Sequence, residues 1–182
     1  QTGFSYIAQL RSWLPREIGG ILWFGNDDGN MVAYVPIYCS NTERAECFNT
    51  PGADAVTFSD KNAFWVCNWV SNMVYPRYSQ LFPALKEVRD SLDNAFLAAQ
   101  KGVEAKAEAL YATDKAAAVK YLNDYSIQKS NEMIARWREL AIHLIVKFND
   151  MTVKPEKDGK FLRTSTGLGE RVKRTGYSDY FK

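Results

Sequence analysis

Leu14-Pro-Arg-Glu-Ile-Gly-Gly-Ile-Leu-Trp-Phe-Gly-Asn-Asp-Asp-Gly-Asn-Met-Val-Ala-Tyr-Val-Pro-Ile-Tyr-Cys39 is the stretch on which the reading of the fold turns. Gly19 to Gly25 and Met31 to Cys39 are rich in β-branched and aromatic residues. Between them Asn26-Asp-Asp-Gly-Asn30 has the composition of a hairpin turn, with Gly29 free to accept positive φ. Nearly every position in the two runs is apolar, which predicts strands covered on both faces. Pro36 cannot donate to a ladder, so the second strand is expected at an edge or a bulge. Upstream, Phe4, Tyr6, Ala8 and Leu10 alternate along residues 3–13 and predict a half-buried strand, ended by Pro15.

Downstream the period changes. Residues 40–57 form a polar loop containing Pro51 and Gly52. Ser59 or Asp60 is placed to cap a helix over 61–75 that stops near Pro76. A second helix begins near Ser79, with Pro83 in its first turn. Leu81, Leu85, Val88, Leu92, Phe96, Ala99, Val103, Ala107 and Leu110 recur every three or four residues along it, an amphipathic stripe. Gly102 loosens its middle by about 1 kcal/mol relative to alanine. Thr113 is a candidate cap for a third helical stretch, which Asn123 and Asp124 are expected to interrupt. Beyond them, Met133, Ile134, Trp137, Ala141, Leu144, Ile145 and Phe148 make a second stripe. Residues 151–182 carry eight Lys or Arg, four Asp or Glu and five Gly or Pro. They read as an extended tail that wraps over something.

The totals exclude more than they identify. At 182 residues the chain suits one domain, with 46% apolar and 24% charged residues. A net charge of +2 gives no strong field for nucleic acid or anionic lipid. No apolar run approaches the roughly 20 residues of a membrane span, and residues 1–20 show no signal pattern. The chain opens on Gln1 rather than Met, which is read as truncation or processing. Any targeting segment is then expected upstream, so the compartment stays open between cytoplasmic and exported.

Candidate chemistry is sparse. Cys39, Cys47 and Cys67 are too few, and odd in number, for a disulfide scaffold. Cys39 and Cys47 flank a loop and could pair in an oxidising compartment; two ordinary thiols is the simpler reading. Cys67, among Phe64, Trp65, Trp69 and Val70, is expected to be buried and inert. Spacings of eight and twenty residues give no Cys-x-x-Cys zinc knuckle. His143, the sole histidine, lacks a recognisable cysteine-protease setting, and no Gly-x-Ser-x-Gly elbow occurs. Asp27-Asp28-Gly29-Asn30 lacks the alternating oxygens and distal glutamate of a calcium loop. Gly167-Leu-Gly169 lacks the remainder of a phosphate loop. Lys154, Lys157, Lys160, Arg163, Arg171, Lys173 and Arg174 have interleaved acids and few aromatics before Tyr177. They read as a solvated or docked tail rather than a nucleic-acid surface. No catalytic, metal or cofactor-binding residue is assigned, and no cofactor is required.

Three segments nevertheless resemble a known family. Residues 14–25 (Leu-Pro-Arg-Glu-Ile-Gly-Gly-Ile-Leu-Trp-Phe-Gly) with 34–38 (Tyr-Val-Pro-Ile-Tyr) look like the C-terminal part of the bacterial cysteine dipeptidases of the dipeptidase A family. So do Asp60 to Tyr78 (Asp-Lys-Asn-Ala-Phe-Trp-Val-Cys-Asn-Trp-Val-Ser-Asn-Met-Val-Tyr-Pro-Arg-Tyr) and the ending Val146-Lys-Phe-Asn-Asp150. The resemblance extends over essentially all 182 residues. It implies an N-terminal-nucleophile hydrolase related to penicillin V acylase and bile salt hydrolase. Its fold would be an αββα sandwich, and its nucleophile a cysteine at the mature N-terminus whose α-amino group serves as base. None of Cys39, Cys47 and Cys67 sits in that motif, so no catalytic residue carries over.

The expected fold is therefore α+β. Residues 1–57 are strand-rich, with strands in 3–39 contributing to the sandwich; 58–150 are helical and 151–182 an extended tail. Two functional expectations follow. In the first, the chain is the C-terminal segment of a dipeptidase, inactive alone. Its partners are the upstream part of the same enzyme and a dipeptide, and loops 26–30 and 40–57 approach the substrate cleft. An acylase specificity is a variant of this reading. In the second, the chain is a non-catalytic helical interaction or oligomerisation module. A homo-oligomer is compatible with either.

Overall fold

A computed structural model describes residues 2–163 and the backbone of 173–174. The first strand, β1 (Phe4–Leu10), runs antiparallel to β2 (Gly20–Asn26), which runs antiparallel to β3 (Val35–Tyr38), giving a sheet of order β1-β2-β3. A single helical turn, α1 (Arg16–Gly19), joins β1 to β2. Next come α2 (Ala63–Val74), α3 (Tyr78–Tyr111) and α4 (Lys115–Phe148), the last two 34 residues each. Short strands β4 (Thr152–Val153), β5 (Glu156–Lys157), β6 (Lys160–Phe161) and β7 (Lys173–Arg174) follow. β5 pairs with β6, and β4 with β7. The chain is mixed α+β, as expected, with a small antiparallel sheet and long helices.

The sheet is asymmetric. Leu10↔Gly20, Ile7↔Trp23 and Phe4↔Asn26 fix the β1–β2 register. This register places Ile21 and Trp23 on the face toward the helices, where both are buried. Phe4, Tyr6 and Leu10 lie on the other face and are exposed. The half-buried strand is thus corrected: its apolar side looks outward, and the partly buried positions are Ser5 and Gln9. Polar partners explain the inversion. Gln9 Oε1 accepts from Trp23 Nε1 and from Gln100 Nε2, both at 3.0 Å, and Ser5 Oγ lies 2.7 Å from the Tyr34 hydroxyl. The outward side chains of β2, Leu22 and Phe24, are only half-buried, so cover on both faces is incomplete. Phe48 sits edge-on over Phe24, with ring centroids 5.5 Å apart.

The two edges of the sheet also differ. β3, carrying Pro36, is an edge strand as expected, and side chains close it. The Tyr38 N–H donates to Ser126 Oγ at 3.4 Å, and the Tyr34 N–H to Asp93 Oδ1 at 2.9 Å. Among the described residues, β1 has no strand on its outer side. β3 is shorter than the apolar run 31–39, because Met31, Val32 and Ala33 enter the core as a buried turn instead.

Helix limits follow their caps. Asn62, not Ser59 or Asp60, caps α2 by accepting from the Trp65 N–H at 3.3 Å. A 3₁₀ turn over Tyr75–Arg77 absorbs Pro76, and α3 then starts at Tyr78, so Pro83 falls in its second turn. Asp114, not Thr113, caps α4 through the Ala116 and Ala117 N–H groups, at 2.9 and 3.1 Å. Asp114→Ala should lower the unfolding free energy by about 1 kcal/mol, measured by urea denaturation. A loss of only a few tenths would show that this cap contributes nothing specific.

Asn123 and Asp124 do not break α4. The buried Asn123 side chain accepts the Glu43 N–H at 2.9 Å, so its amide serves the packing rather than competing with the helix backbone. The α3 and α4 stripes bury Leu81, Leu85, Leu92, Phe96, Val103 and Ala107 with Met133, Ile134, Trp137, Ala141, Leu144 and Phe148 in one continuous core. Ile145, expected in that stripe, is exposed. The described part of the tail folds back onto α4: the Lys154 N–H donates to the Lys147 carbonyl at 2.9 Å.

Candidate functional site

Two ends of the sheet concentrate polar side chains. At the first, β2 runs into Asp27, whose φ is +66°, so the left-handed residue of the turn is Asp27 and not Gly29. Asp27 is 1% exposed. Its carboxylate accepts from Asn68 Nδ2 at 3.0 Å and from the Ser71 hydroxyl. Its N–H donates to the Gly3 carbonyl at 2.8 Å. Asp28 accepts from the Tyr75 hydroxyl, and that bond pushes the Tyr75 phenol up to about 12. Asn30 Nδ2 donates to the Tyr78 hydroxyl at 2.7 Å, and Arg89 Nη1 donates to the Asn30 carbonyl at 2.7 Å.

Gly29 serves a close approach: a Cβ there would lie 2.8 Å from Ser5 Oγ and 3.0 Å from the Tyr34 hydroxyl. The acidic turn is thus bolted to the corner of α2 and α3 by donors that occupy its carboxylates. This agrees with the reading of residues 26–30 as a turn. Among the described residues, no group of three or more His, Cys, Asp or Glu side chains is placed to hold a metal ion.

All three cysteines are free thiols. Cys67 is buried, as expected, and desolvation together with the nearby Asp27 charge raises its pKa strongly. Burial pushes the Cys47 thiol up to about 11. Neither is a nucleophile in waiting. Cys39 is exposed at the end of β3. His143 has Nδ1 3.5 Å from Glu156 Oε1, and its ring stacks on Phe161 at 5.6 Å. Lys147 also pairs with Glu156. The histidine therefore pins the β5–β6 hairpin to α4, a structural role. Lys154 reaches the Val146 carbonyl at 2.6 Å and Asn149 Oδ1, so the described tail is docked. Gly167–Gly169, Arg171 and Tyr177 lie outside the described residues.

At the opposite end of the sheet, Arg11 and Glu104 form an ion pair whose side chains are 8% and 12% exposed. Arg11 also donates to the Gly19 and Ile18 carbonyls, both at 3.3 Å. Glu104 Oε1 accepts further from Gln100 Nε2 at 3.0 Å and the Tyr38 hydroxyl at 3.4 Å. Burial, with the Glu104 charge second, raises the Tyr38 phenol well above its ordinary value. Beside this network opens a cavity of about 770 Å³, lined among others by Leu10, Leu14, Arg16, Gly20, Cys39 and Ser40. Gly20 gives the Cys39 thiol its place: a Cβ there would come within 3.0 Å of Sγ.

The two loops read as possible cleft walls thus part company. Residue 40 lines this cavity, whereas none of 26–30 does. Sequence reading missed Arg11, Arg16 and Ser40; the only available signal was a basic residue on either side of the Pro15 turn.

A family model described as peptidase family C69 matches residues 1–91, half of the chain. A curated protein named "Probable dipeptidase B", from Streptococcus pyogenes serotype M1, is 19% identical over 141 residues. That alignment covers 78% of this chain and 28% of the streptococcal protein. The chain thus spans much less than the length of the curated relative it matches.

Proposed function

The chain belongs to peptidase family C69, and from that premise we propose that it is the C-terminal segment of a cysteine dipeptidase whose nucleophile lies upstream of residue 1. The thiolate of an N-terminal cysteine attacks the carbonyl carbon of a dipeptide bond, with its own α-amino group taking the thiol proton. The bond to the leaving amine breaks as that proton is returned. Water then hydrolyses the acyl-thioester and releases the second amino acid. The three thiols of this chain do not compete for the role: Cys47 and Cys67 are buried with raised pKa, and Cys39 has no histidine among its contacts. Residues 1–57, 58–150 and 151–182 act as one structural unit within the larger enzyme.

The observation that carries this reading is the outward face of the sheet. Phe4, Tyr6 and Leu10 are 59%, 59% and 76% exposed on a strand whose outer edge is unpaired among the described residues. Leu22 and Phe24 continue the same surface. A contiguous apolar sheet face calls for a second layer. A second sheet stacked there is the arrangement of an αββα sandwich, with α2–α4 as the outer helical layer. The length of the streptococcal relative is consistent with that missing layer.

The chain should be produced alone and together with its upstream region, and hydrolysis of unblocked dipeptides followed by amine release. The longer form is expected to cleave and the 182-residue chain to be inert. Cleavage by the chain alone would overturn the proposal, as would inactivity of a folded longer form. The alternative, a helical interaction module, loses its main support in the fold. The α3 and α4 stripes are spent on one another and on the sheet, leaving Ile142, Ile145 and Val146 as a small exposed group on α4.

A further inference from the structure

We propose that the free flank of β1 and the row of α3 beside it form a two-fold interface between two copies of this chain. The strand supplies the first argument. The Arg11 N–H donates to the Gly19 carbonyl, and the Asp27 N–H to the Gly3 carbonyl. Hydrogen bonding alternates along an antiparallel pair, so Gly3, Ser5, Ile7, Gln9 and Arg11 turn their backbone groups toward β2. Phe4, Tyr6, Ala8 and Leu10 turn theirs to the outer edge, where no strand meets them among the described residues. Such an edge pairs readily with another extended strand. The surface under that edge supplies the second argument. A cavity of about 420 Å³ opens between β1 and α3, lined among others by Ile7, Gln9, Trp23, Tyr34, Asp93 and Leu97. Ile7 faces the helices yet is 58% exposed, and Leu97 is 55% exposed. Together they make an uncovered apolar seam on the helix side of the sheet.

Charge selects a second copy as the occupant. Asp93, Leu97 and Lys101 follow one another at four-residue spacing, one row along α3. Asp93 accepts the Tyr34 N–H at 2.9 Å and forms no ion pair among the described residues. Arg89, the nearest cation, is spent on Asp90 and the Asn30 carbonyl. Burial raises the Asp93 pKa, against the Tyr34 hydrogen bond and the Arg89 charge, so a second cation would help to hold it ionised. Lys101 is exposed and has no partner among the described residues.

Symmetry joins the two arguments. α3 runs alongside β1 in the same direction, with Gln100 meeting Gln9 and Glu104 meeting Arg11. A two-fold axis through Ile7, the midpoint of β1, reverses both elements at once. It pairs Phe4 with the partner's Leu10, Tyr6 with the partner's Ala8, and Ile7 with its own copy. On α3 the same axis passes by Leu97, bringing the two Leu97 side chains together and setting each Asp93 against the partner's Lys101. A row that reads acid, apolar, base matches itself when inverted, as an isologous contact requires. The outward side chains Phe4, Tyr6 and Leu10 stay open in this pairing. The second layer proposed above therefore keeps its place, and the two readings can fail separately.

Sedimentation equilibrium on the full chain at micromolar concentrations should show a monomer–dimer equilibrium that added salt weakens. Lys101→Glu sets like charges against each other at both ends of the row and should raise the dimer Kd about tenfold or more. Lys157→Glu, the same charge change on the exposed part of the β5–β6 hairpin, should leave the Kd unchanged. Asp93→Lys combined with Lys101→Glu exchanges the charges and should restore association. Leu97→Glu, at an exposed position, tests the axis without touching the Asp93–Tyr34 bond and should also abolish the dimer. Hydrogen exchange at the Tyr6 and Ala8 amides should slow as the dimer fills and stay fast in Leu97→Glu. Monomers at every concentration, a Kd indifferent to Lys101→Glu and Leu97→Glu, or edge amides that exchange freely in the dimer would overturn the interface. So would edge protection without self-association in a form carrying the upstream region, which would give the flank to an upstream strand.

Discussion

Arg11→Ala should remove roughly 3–5 kcal/mol of unfolding free energy, among the largest losses available to a single polar residue in this chain. The pair is almost wholly out of water, so deletion leaves the Glu104 carboxylate buried with only Gln100 and Tyr38 as donors among the described residues. The Gly19 and Ile18 carbonyls lose their side-chain donor as well. A carboxylate so placed must either carry an uncompensated charge or take up a proton, and both oppose folding. Because an apolar replacement of both partners removes the stranded charge, Arg11→Met with Glu104→Leu should recover more than half of the loss. Urea denaturation with far-ultraviolet circular dichroism measures both. A loss under about 1 kcal/mol for Arg11→Ala would place the pair with ordinary exposed salt bridges and defeat the argument.

Trp137→Ala should cost about 3–5 kcal/mol through the cavity it leaves. Trp137 is the largest fully buried side chain and sits in the middle of α4, where the helices meet. Its indole Nε1 has no hydrogen-bond partner among the described residues, so the contribution is packing alone. That yields an ordering. Trp137→Phe discards no hydrogen bond and keeps most of the buried apolar volume, so it should cost well under half of the alanine change. Equal losses for the two variants, in the same denaturation assay, would mean that a polar contact of the indole dominates and that the packing account is wrong.

Much of this architecture was legible in the residues, for reasons that can be stated position by position. The period-two run at Phe4–Leu10, the β-rich runs and the helical stripes locate every large element, because burial of one face imposes a period on the sequence. Pro36 marked an edge strand correctly, since a missing N–H is a local property. What failed was anything that depends on a partner distant in sequence. Alternation puts the apolar residues of β1 on one face without saying which way that face looks; the face toward the helices holds Ser5 and Gln9, met by Tyr34 and Gln100, with an exposed Ile7 between them. Asn123 by residue type competes for its own helix backbone, but the Glu43 N–H, 80 positions away, donates to its side-chain oxygen instead. Residue type points to Gly29 for positive φ, whereas hydrogen bonds from α2 hold Asp27 there instead. The cavity was invisible for the same reason. Arg16 lies on α1 and Cys39 and Ser40 in the turn after β3, and only the register of the strands brings the two to one end.

The bare flank of β1 carries a hazard as well as a clue. Its outward backbone amides and carbonyls are a template on which an identical strand from another molecule can stack, and the oily side chains around them favour that stacking. Chains lacking a covering layer would pair in this way in proportion to their concentration, seeding fibrils rather than settling as monomers. Synthesis would then favour an order in which a protecting layer is already folded when this strand emerges from the ribosome.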